Sequence, residues 1–147
     1  MREKKAPAIV AVLGYGGLIP FILLAAAALW ETSHSSLWRD ALFAYAAVIL
    51  SFVGALHWAF AMTLKELDDR RRNSVFVWSI VPAICAWLAL LLPLKMASPL
   101  LVAGFVAHYF QDSRLKTYAR IPGWYLPLRL RLTVIAIVCV AACGIYI

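Results

Sequence analysis

One stretch constrains this chain more than any other: the 24 residues from Ala41 to Leu64 contain no formally charged side chain. About 20 residues at ~1.5 Å rise per residue are enough for a helix to cross the ~30 Å hydrocarbon core of a bilayer. His57 is the ionisable group deep inside this stretch, and ionisable groups within membrane helices are candidate functional residues. The stretch therefore predicts a transmembrane helix with a histidine of interest.

The composition of the whole chain agrees with a membrane location. Hydrophobic residues make up 65% of the 147 positions and charged residues 14%, against roughly 45–50% and about 25% in soluble domains. The net charge of +7 does not indicate nucleic-acid binding, because the basic residues flank apolar runs and form no continuous stripe. We therefore expect one polytopic membrane domain over residues 1–147, surrounded by the lipid bilayer and without a nucleic-acid partner.

Apolar runs divide the chain into five predicted helices, so the expected fold is an all-α bundle of five transmembrane helices. In the first run, Gly14-Tyr15-Gly16-Gly17 and Pro20 predict an interruption of the helix. The fourth run is short, since its 15 residues cover only ~22 Å, and a re-entrant segment is the alternative to a crossing. The predicted helices cover about residues 8–30, 41–64, 75–94, 97–111 and 128–147.

The distribution of lysine and arginine predicts how the chain threads the membrane, because cytoplasmic segments carry an excess of both. With five crossings and a cytoplasmic N-terminus, twelve of the 14 basic residues lie inside, and only Arg39 and Lys95 lie outside. If the fourth segment did not cross, the division would be seven against seven. We therefore predict five crossings, a cytoplasmic N-terminus and an outside C-terminus.

The unusual side chains gather toward the cytoplasmic ends of the predicted helices. His57 lies seven residues from the inner end of its helix, ~10 Å deep, and His108 lies ~5 Å from the end of its own. Asp112 follows His108 by one turn and is expected to hydrogen-bond it or to pair with Arg129. The candidate ligand-binding residues are Tyr15, His57, Trp58, His108, Asp112 and Arg129.

The two histidines allow three interpretations. Each could donate a hydrogen bond that fixes the register between helices, or both could line a cytoplasm-side cavity for a quinone-like or other amphipathic ligand. They could also ligate haem or a metal, but their ~5 Å difference in depth disfavours axial ligation of one haem. We expect no resident cofactor and no metal, with haem or quinone as the alternatives.

Catalytic signatures are scarce in this sequence. There is no Gly-x-Ser-x-Gly motif, the nucleophile turn of many hydrolases. Cys85, Cys139 and Cys143 lie inside apolar runs, where small packing residues are expected rather than metal ligands. A non-catalytic protein is therefore favoured over an enzyme. The hypothesis of a transporter or proton conductor is supported only by the two intramembrane histidines.

Four stretches carry a pattern that is recognisable as a whole: Leu13 to Phe21; Tyr45 with Leu50 to Phe60; Pro82 with Trp87; and Pro122 to Tyr125 with Leu128 and Arg129. In this order they resemble the transmembrane protein 69 family, a bacterial and mitochondrial group of integral membrane proteins. The resemblance implies a multi-pass protein of the bacterial inner membrane or of its mitochondrial descendant, with the bacterial inner membrane as the expected location here. It implies no established activity.

These observations predict a structural, accessory or assembly role, beside a larger inner-membrane complex or within a homo-oligomer. Small residues on the helix faces suit such contacts. The alternative is a binding protein for a small quinone-, lipid- or haem-like molecule, in a cytoplasm-side cavity that two histidines would line.

Overall fold

The protein is all-α, as predicted. The computed structural model describes residues 5–146, and within them the chain forms six helices joined by short loops. Two of the six, α1 and α2, follow one another almost without a break, so the bundle has five helical segments. The helices are α1 (Ala8–Gly16), α2 (Leu18–Trp30), α3 (Ser35–Thr63), α4 (Asp69–Leu91), α5 (Leu94–Tyr118) and α6 (Tyr125–Ile145).

The predicted interruption of the first segment lies at Gly17, between α1 and α2. Pro20 has no backbone N–H to offer to the carbonyl group four residues earlier, which weakens the helix at this point. The Tyr45 hydroxyl donates a hydrogen bond to the Gly17 carbonyl at 2.8 Å. Gly14, one turn before the break, packs against Leu132 of α6, because a Cβ at this position would lie 3.2 Å from its Cδ1. Of these glycines, Gly14 therefore serves packing between α1 and α6.

Two helices begin earlier than hydropathy indicates. Helix α3 begins at Ser35 rather than near residue 41, since Arg39 is accommodated inside the helix by a 3.3 Å hydrogen bond to Ser35 Oγ. Helix α4 begins at Asp69 rather than near residue 75, because the Asp68 carboxylate accepts the Arg71 N–H at 2.8 Å and caps the helix. Charged residues that hydropathy assigns to loops thus lie in the first turns of these helices.

Helix α5 differs most from its prediction. It covers Leu94–Tyr118, 25 residues, instead of residues 97–111. The prediction ended the helix before Asp112 because a carboxylate is costly in an apolar environment. In the structure Asp112 is fully buried and paired inside the bundle, so the helix continues past it. Helix α6 covers Tyr125–Ile145 instead of residues 128–147, and Ile147 lies outside the described residues.

Helix α3 lies at the centre of the bundle, in contact with α2, α4, α5 and α6. Two glycines allow close approaches between α3 and its neighbours. A Cβ at Gly54 would lie 2.8 Å from Pro82 Cβ of α4, and one at Gly104 of α5 would lie 2.7 Å from Leu50 Cδ2 of α3. The small residues next to the two histidines therefore admit neighbouring helices.

Apolar side chains cover the outside of the bundle, among them Val48, Trp87, Phe110 and Val138. Four segments are long and apolar enough to cross a membrane: Ala8–Trp30, α3, α4 and α6. Such apolar helices with outward-facing hydrophobic side chains are typical of proteins that have lipid as their solvent. The protein is a multi-pass membrane protein.

The loops at the two ends of α3 are held by side chains. Before α3, the Glu31 carboxylate lies 2.7 Å from His34 Nδ1 and accepts Trp38 Nε1–H at 2.6 Å. These hydrogen bonds, first that of His34 and then that of Trp38, hold the pKa of Glu31 below its usual value. After α3, the Arg72 guanidinium donates to the carbonyl groups of Ala61, Leu64 and Leu67, which joins the start of α4 to the end of α3.

Candidate functional site

A buried carboxylate, Asp112 of α5, is the centre of the polar groups inside the bundle. Its Oδ1 lies 2.9 Å from His57 Nε2 of α3 and 3.2 Å from the Tyr125 hydroxyl of α6. Because an ionised carboxylate only accepts hydrogen bonds, both neighbours act as donors. One carboxylate therefore joins three helices at a point from which water is excluded.

The second oxygen of Asp112 is paired with a cation. Arg129 Nε donates to Asp112 Oδ2 at 3.0 Å, and both side chains are buried. An unpaired charge in an apolar interior is very costly, whereas this pair has no net charge. We call Asp112, Arg129, His57 and Tyr125 the carboxylate cluster.

His108 extends the cluster toward α4. Its Nδ1 accepts Trp78 Nε1–H at 3.1 Å, and its ring is fully buried with its centroid 4.9 Å from that of His57. Indole N–H groups only donate, so the neutral His108 ring carries its proton on Nε2. That nitrogen lies 3.8 Å from Asp112 Oδ1, too far for a hydrogen bond.

Four of the six residues that the sequence singled out come together here: His57, His108, Asp112 and Arg129. Of the two partners expected for Asp112, Arg129 is bonded to it and His108 is only near it. The expected position of His108, ~5 Å from the end of its helix, is wrong. Helix α5 runs on to Tyr118, which places His108 well inside its helix and beside His57.

Tyr15 and Trp58 lie elsewhere. The Tyr15 hydroxyl is 3.4 Å from Arg131 Nη1, and 41% of the residue is exposed. Trp58 is 51% exposed, points out of the bundle and packs edge-on against Phe76, with 4.9 Å between the ring centroids. Among the described residues, the side chains of Tyr15 and Trp58 make no hydrogen bond to the carboxylate cluster.

Sequence reasoning missed Tyr125, Trp78 and Thr133. By sequence, Tyr125 and Trp78 are indistinguishable from ordinary aromatic residues of a membrane interface and a membrane helix, although both donate hydrogen bonds to the buried polar groups. A usable signal was present in α6, because Tyr125, Arg129 and Thr133 recur at every fourth position and therefore share one helix face.

A cavity of about 500 Å³, open to the outside of the bundle, lies beside the cluster and is lined by α1, α2, α3, α6, Phe105 of α5 and the residues just before α6. Its lining is almost entirely apolar. Three lining side chains have a buried polar atom without a hydrogen-bond partner among residues 5–146: Arg129 Nη2, Thr133 Oγ1 and Trp124 Nε1. His57 and His108 do not line this cavity, so it differs from the one expected from the sequence.

Comparison with known proteins decides the family. A family model described as a protein of unknown function, DUF3429, matches residues 6–144. The chain belongs to this family. Transmembrane protein 69 of Xenopus tropicalis is 36% identical over 141 residues, which cover 91% of this chain and 53% of the frog protein. The chain thus spans about half the length of that relative, and the resemblance to the transmembrane protein 69 family is confirmed. No solved structure is detectably similar to the chain.

In this DUF3429 protein, His57, His108 and Asp112 offer one potential metal-ligand atom each, all within 4.8 Å of one another. Two observations disfavour a metal there. The Trp78 donor leaves His108 Nε2, the nitrogen that faces Asp112, with a proton instead of a free lone pair. Arg129 also brings a positive charge to the same carboxylate. His57, Tyr125 and Arg129 thus act as hydrogen-bond donors to the Asp112 carboxylate, which leaves no set of free lone pairs for a cation.

Proposed function

We propose that the chain crosses the bacterial inner membrane five times, with its N-terminus in the cytoplasm. At ~1.5 Å per residue, the 25 residues of α5 are ~37 Å long, enough for a crossing. The polar side chains that lower the hydropathy of α5, His108 and Asp112, are buried among other helices. The excess of basic residues on the cytoplasmic side supports this threading, although Arg2 and Lys4 lie outside the described residues.

A reporter fused after Ile147 tests the threading. We expect it to behave as a protein outside the cytoplasm, with alkaline phosphatase active and green fluorescent protein dark. The reverse pattern would mean an even number of crossings or an inverted orientation, and either would reject the proposal.

As a function, we propose that the protein binds an amphipathic small molecule in the cavity beside the carboxylate cluster. The observation that carries this proposal is the pair of unpaired polar atoms on α6, Arg129 Nη2 and Thr133 Oγ1, in otherwise apolar surroundings. Leaving a buried donor without a partner costs about 1–3 kcal/mol, and more for a charged group. Both atoms are covered by neighbouring atoms of the bundle. A ligand with a polar head would displace a neighbouring side chain, supply the missing partner and fill the apolar space.

The size and lining of the cavity support a ligand site. Small-molecule pockets usually measure ~300–1,000 Å³ and combine apolar walls with a few polar groups that orient the ligand. Here the walls come from residues such as Phe21, Ile49 and Leu132, and the polar groups lie together on α6. Leu13 and Phe52 on the rim are exposed on the outside of the bundle. The ligand would thus enter from the lipid.

Filling the cavity tests the proposal. Ile49→Trp places an indole in the cavity, whereas Val48→Trp places it on the exposed side of the same helix. Native mass spectrometry of protein extracted in mild detergent should show a bound small molecule on the wild type and on Val48→Trp. The Ile49→Trp variant should have lost most of it while its melting temperature is retained. Equal occupancy in both variants, or a bare wild-type chain, would reject ligand binding at this cavity.

An accessory or assembly role, beside a larger complex or in a homo-oligomer, stays a prediction. The outward side chains of α4 and α6, for example Trp87 and Val138, suit lipid and a partner helix equally well. The cavity is compatible with such a role, because a bound amphiphile can stabilise a membrane protein that acts within an assembly.

A further inference from the structure

We propose that the ligand is an uncharged amphiphile with one hydrocarbon chain and a carbonyl group at its head, and that Asp112 makes the site select against anionic amphiphiles. This inference rests on the proposed function, because it names the ligand class of the same cavity. Asp112 is a positioning residue in this proposal, because it holds and neutralises Arg129 and does not itself line the cavity.

The unpaired atoms determine which chemistry the head must have. Arg129 Nη2 and Trp124 Nε1 only donate hydrogen bonds, and the Thr133 hydroxyl donates one and accepts others. A head group that accepts hydrogen bonds satisfies all three, whereas an ammonium or guanidinium head would leave donors facing donors. Arg129 and Thr133 are one helical turn apart on the same face of α6, so one head group would approach both from the same side of the helix.

The charge of the site determines that the head is neutral. Of the lining residues that the structure describes, only Arg129 carries a formal charge, and Asp112 already pairs with it at 3.0 Å. A carboxylate or phosphate head would bring a second negative charge to one buried cation. In an environment of low dielectric constant, an uncompensated charge is strongly disfavoured. A ketone, quinone or ester oxygen accepts the same hydrogen bonds without this cost.

The shape of the cavity limits the rest of the ligand. About 500 Å³ corresponds to a small molecule with a single chain rather than to a whole membrane lipid with two acyl chains. The chain would lie against the apolar side chains of α1, α2 and α3. Its far end would reach the rim near Leu13 and Phe52, where the cavity meets the lipid-facing surface.

A matched pair of probes tests this inference: a fatty acid with a brominated chain, and its methyl ester. The chains are identical, and at about pH 9 the acid is ionised. Bromine quenches indole fluorescence on contact, so binding is read from Trp124, with Trp124→Phe as the control that assigns the signal. For the wild type we expect the ester to bind more tightly by about tenfold or more, the equivalent of ~1.4 kcal/mol.

Two variants separate charge from hydrogen bonding. Asp112→Asn keeps the size of the side chain and frees the positive charge of Arg129, so the acid should become the tighter probe. Thr133→Val removes one donor at nearly constant volume, and the ester should bind about 2- to 10-fold more weakly with its preference over the acid retained. If Asp112→Asn does not fold, the ratio of ester to acid affinity in the wild type and in Thr133→Val still tests the preference for a neutral head.

The outcomes distinguish the two proposals. If neither probe quenches Trp124, the proposed function itself is rejected. If the wild type binds the acid as tightly as the ester, or more tightly, the cavity is a ligand site but the selection for neutral heads is overturned.

Discussion

Asp112→Ala is expected to lower the free energy of unfolding by about 3–5 kcal/mol, because it leaves the buried Arg129 without its counter-charge. The variant also removes the acceptor of the His57 and Tyr125 hydrogen bonds, so α3, α5 and α6 lose their shared contact. For a chain of this length we expect the melting temperature to fall by about 6–20 °C.

The native cysteines provide the measurement. Cys85, Cys139 and Cys143 are free thiols that are buried or half-buried, so a thiol-reactive dye reports unfolding in detergent. Glu66→Ala, which removes an exposed carboxylate, is the control and should leave the melting temperature unchanged. In the double variant Asp112→Ala/Arg129→Met both charges are gone, and it should be more stable than Asp112→Ala alone. A double variant less stable than Asp112→Ala would contradict the charge pairing.

Gly54→Ala is expected to destabilise the bundle by about 2 kcal/mol, although alanine normally favours a helix over glycine. The added Cβ would lie 2.8 Å from Pro82 Cβ and 2.9 Å from its Cγ. Real Cβ atoms do not come this close, and a proline ring inside a helix has no rotamer by which to move aside. Helices α3 and α4 would therefore have to separate at the level of the carboxylate cluster.

Gly16→Ala is the matched control for this prediction. A Cβ at Gly16 has no atom within 4 Å, so the lower backbone entropy of the unfolded chain should stabilise the variant by about 0.5–1 kcal/mol. The same dye assay compares the two variants. A Gly54→Ala variant that is as stable as the wild type, or more stable, would show that close packing at Gly54 does not limit the approach of α3 and α4.

Much of the fold could be predicted from hydropathy. Runs of apolar residues must form helices in lipid, because every backbone polar group needs a partner there, and the five segments follow from this requirement. The length of α5 could not be predicted in the same way. Asp112 looks like a loop residue until its partner is known, and Arg129 comes from another helix. The C-terminal end of α5 therefore depends on the contact between Asp112 and Arg129.

The candidate site could be predicted in part for a related physical reason. Ionisable residues in apolar runs attract attention one by one, and His57, His108, Asp112 and Arg129 were found in this way. Which of them meet depends on how each helix is rotated about its axis. Trp58 and His57 are neighbours in sequence, yet one points to the outside and the other to Asp112. The cavity and its unpaired donors depend on the same rotations, so the sequence did not reveal them.

In the proposed arrangement, Arg129 is held by Asp112 on one side and donates a hydrogen bond from Nη2 to the ligand head on the other. An experimental structure of the protein, purified in mild detergent at a resolution that shows bound small molecules, tests it directly. We predict elongated density in the cavity that ends within hydrogen-bond distance of Arg129 Nη2 and Thr133 Oγ1. A collapsed cavity, with both atoms hydrogen-bonded to carbonyl groups of the chain itself, would rule out ligand binding at this cavity.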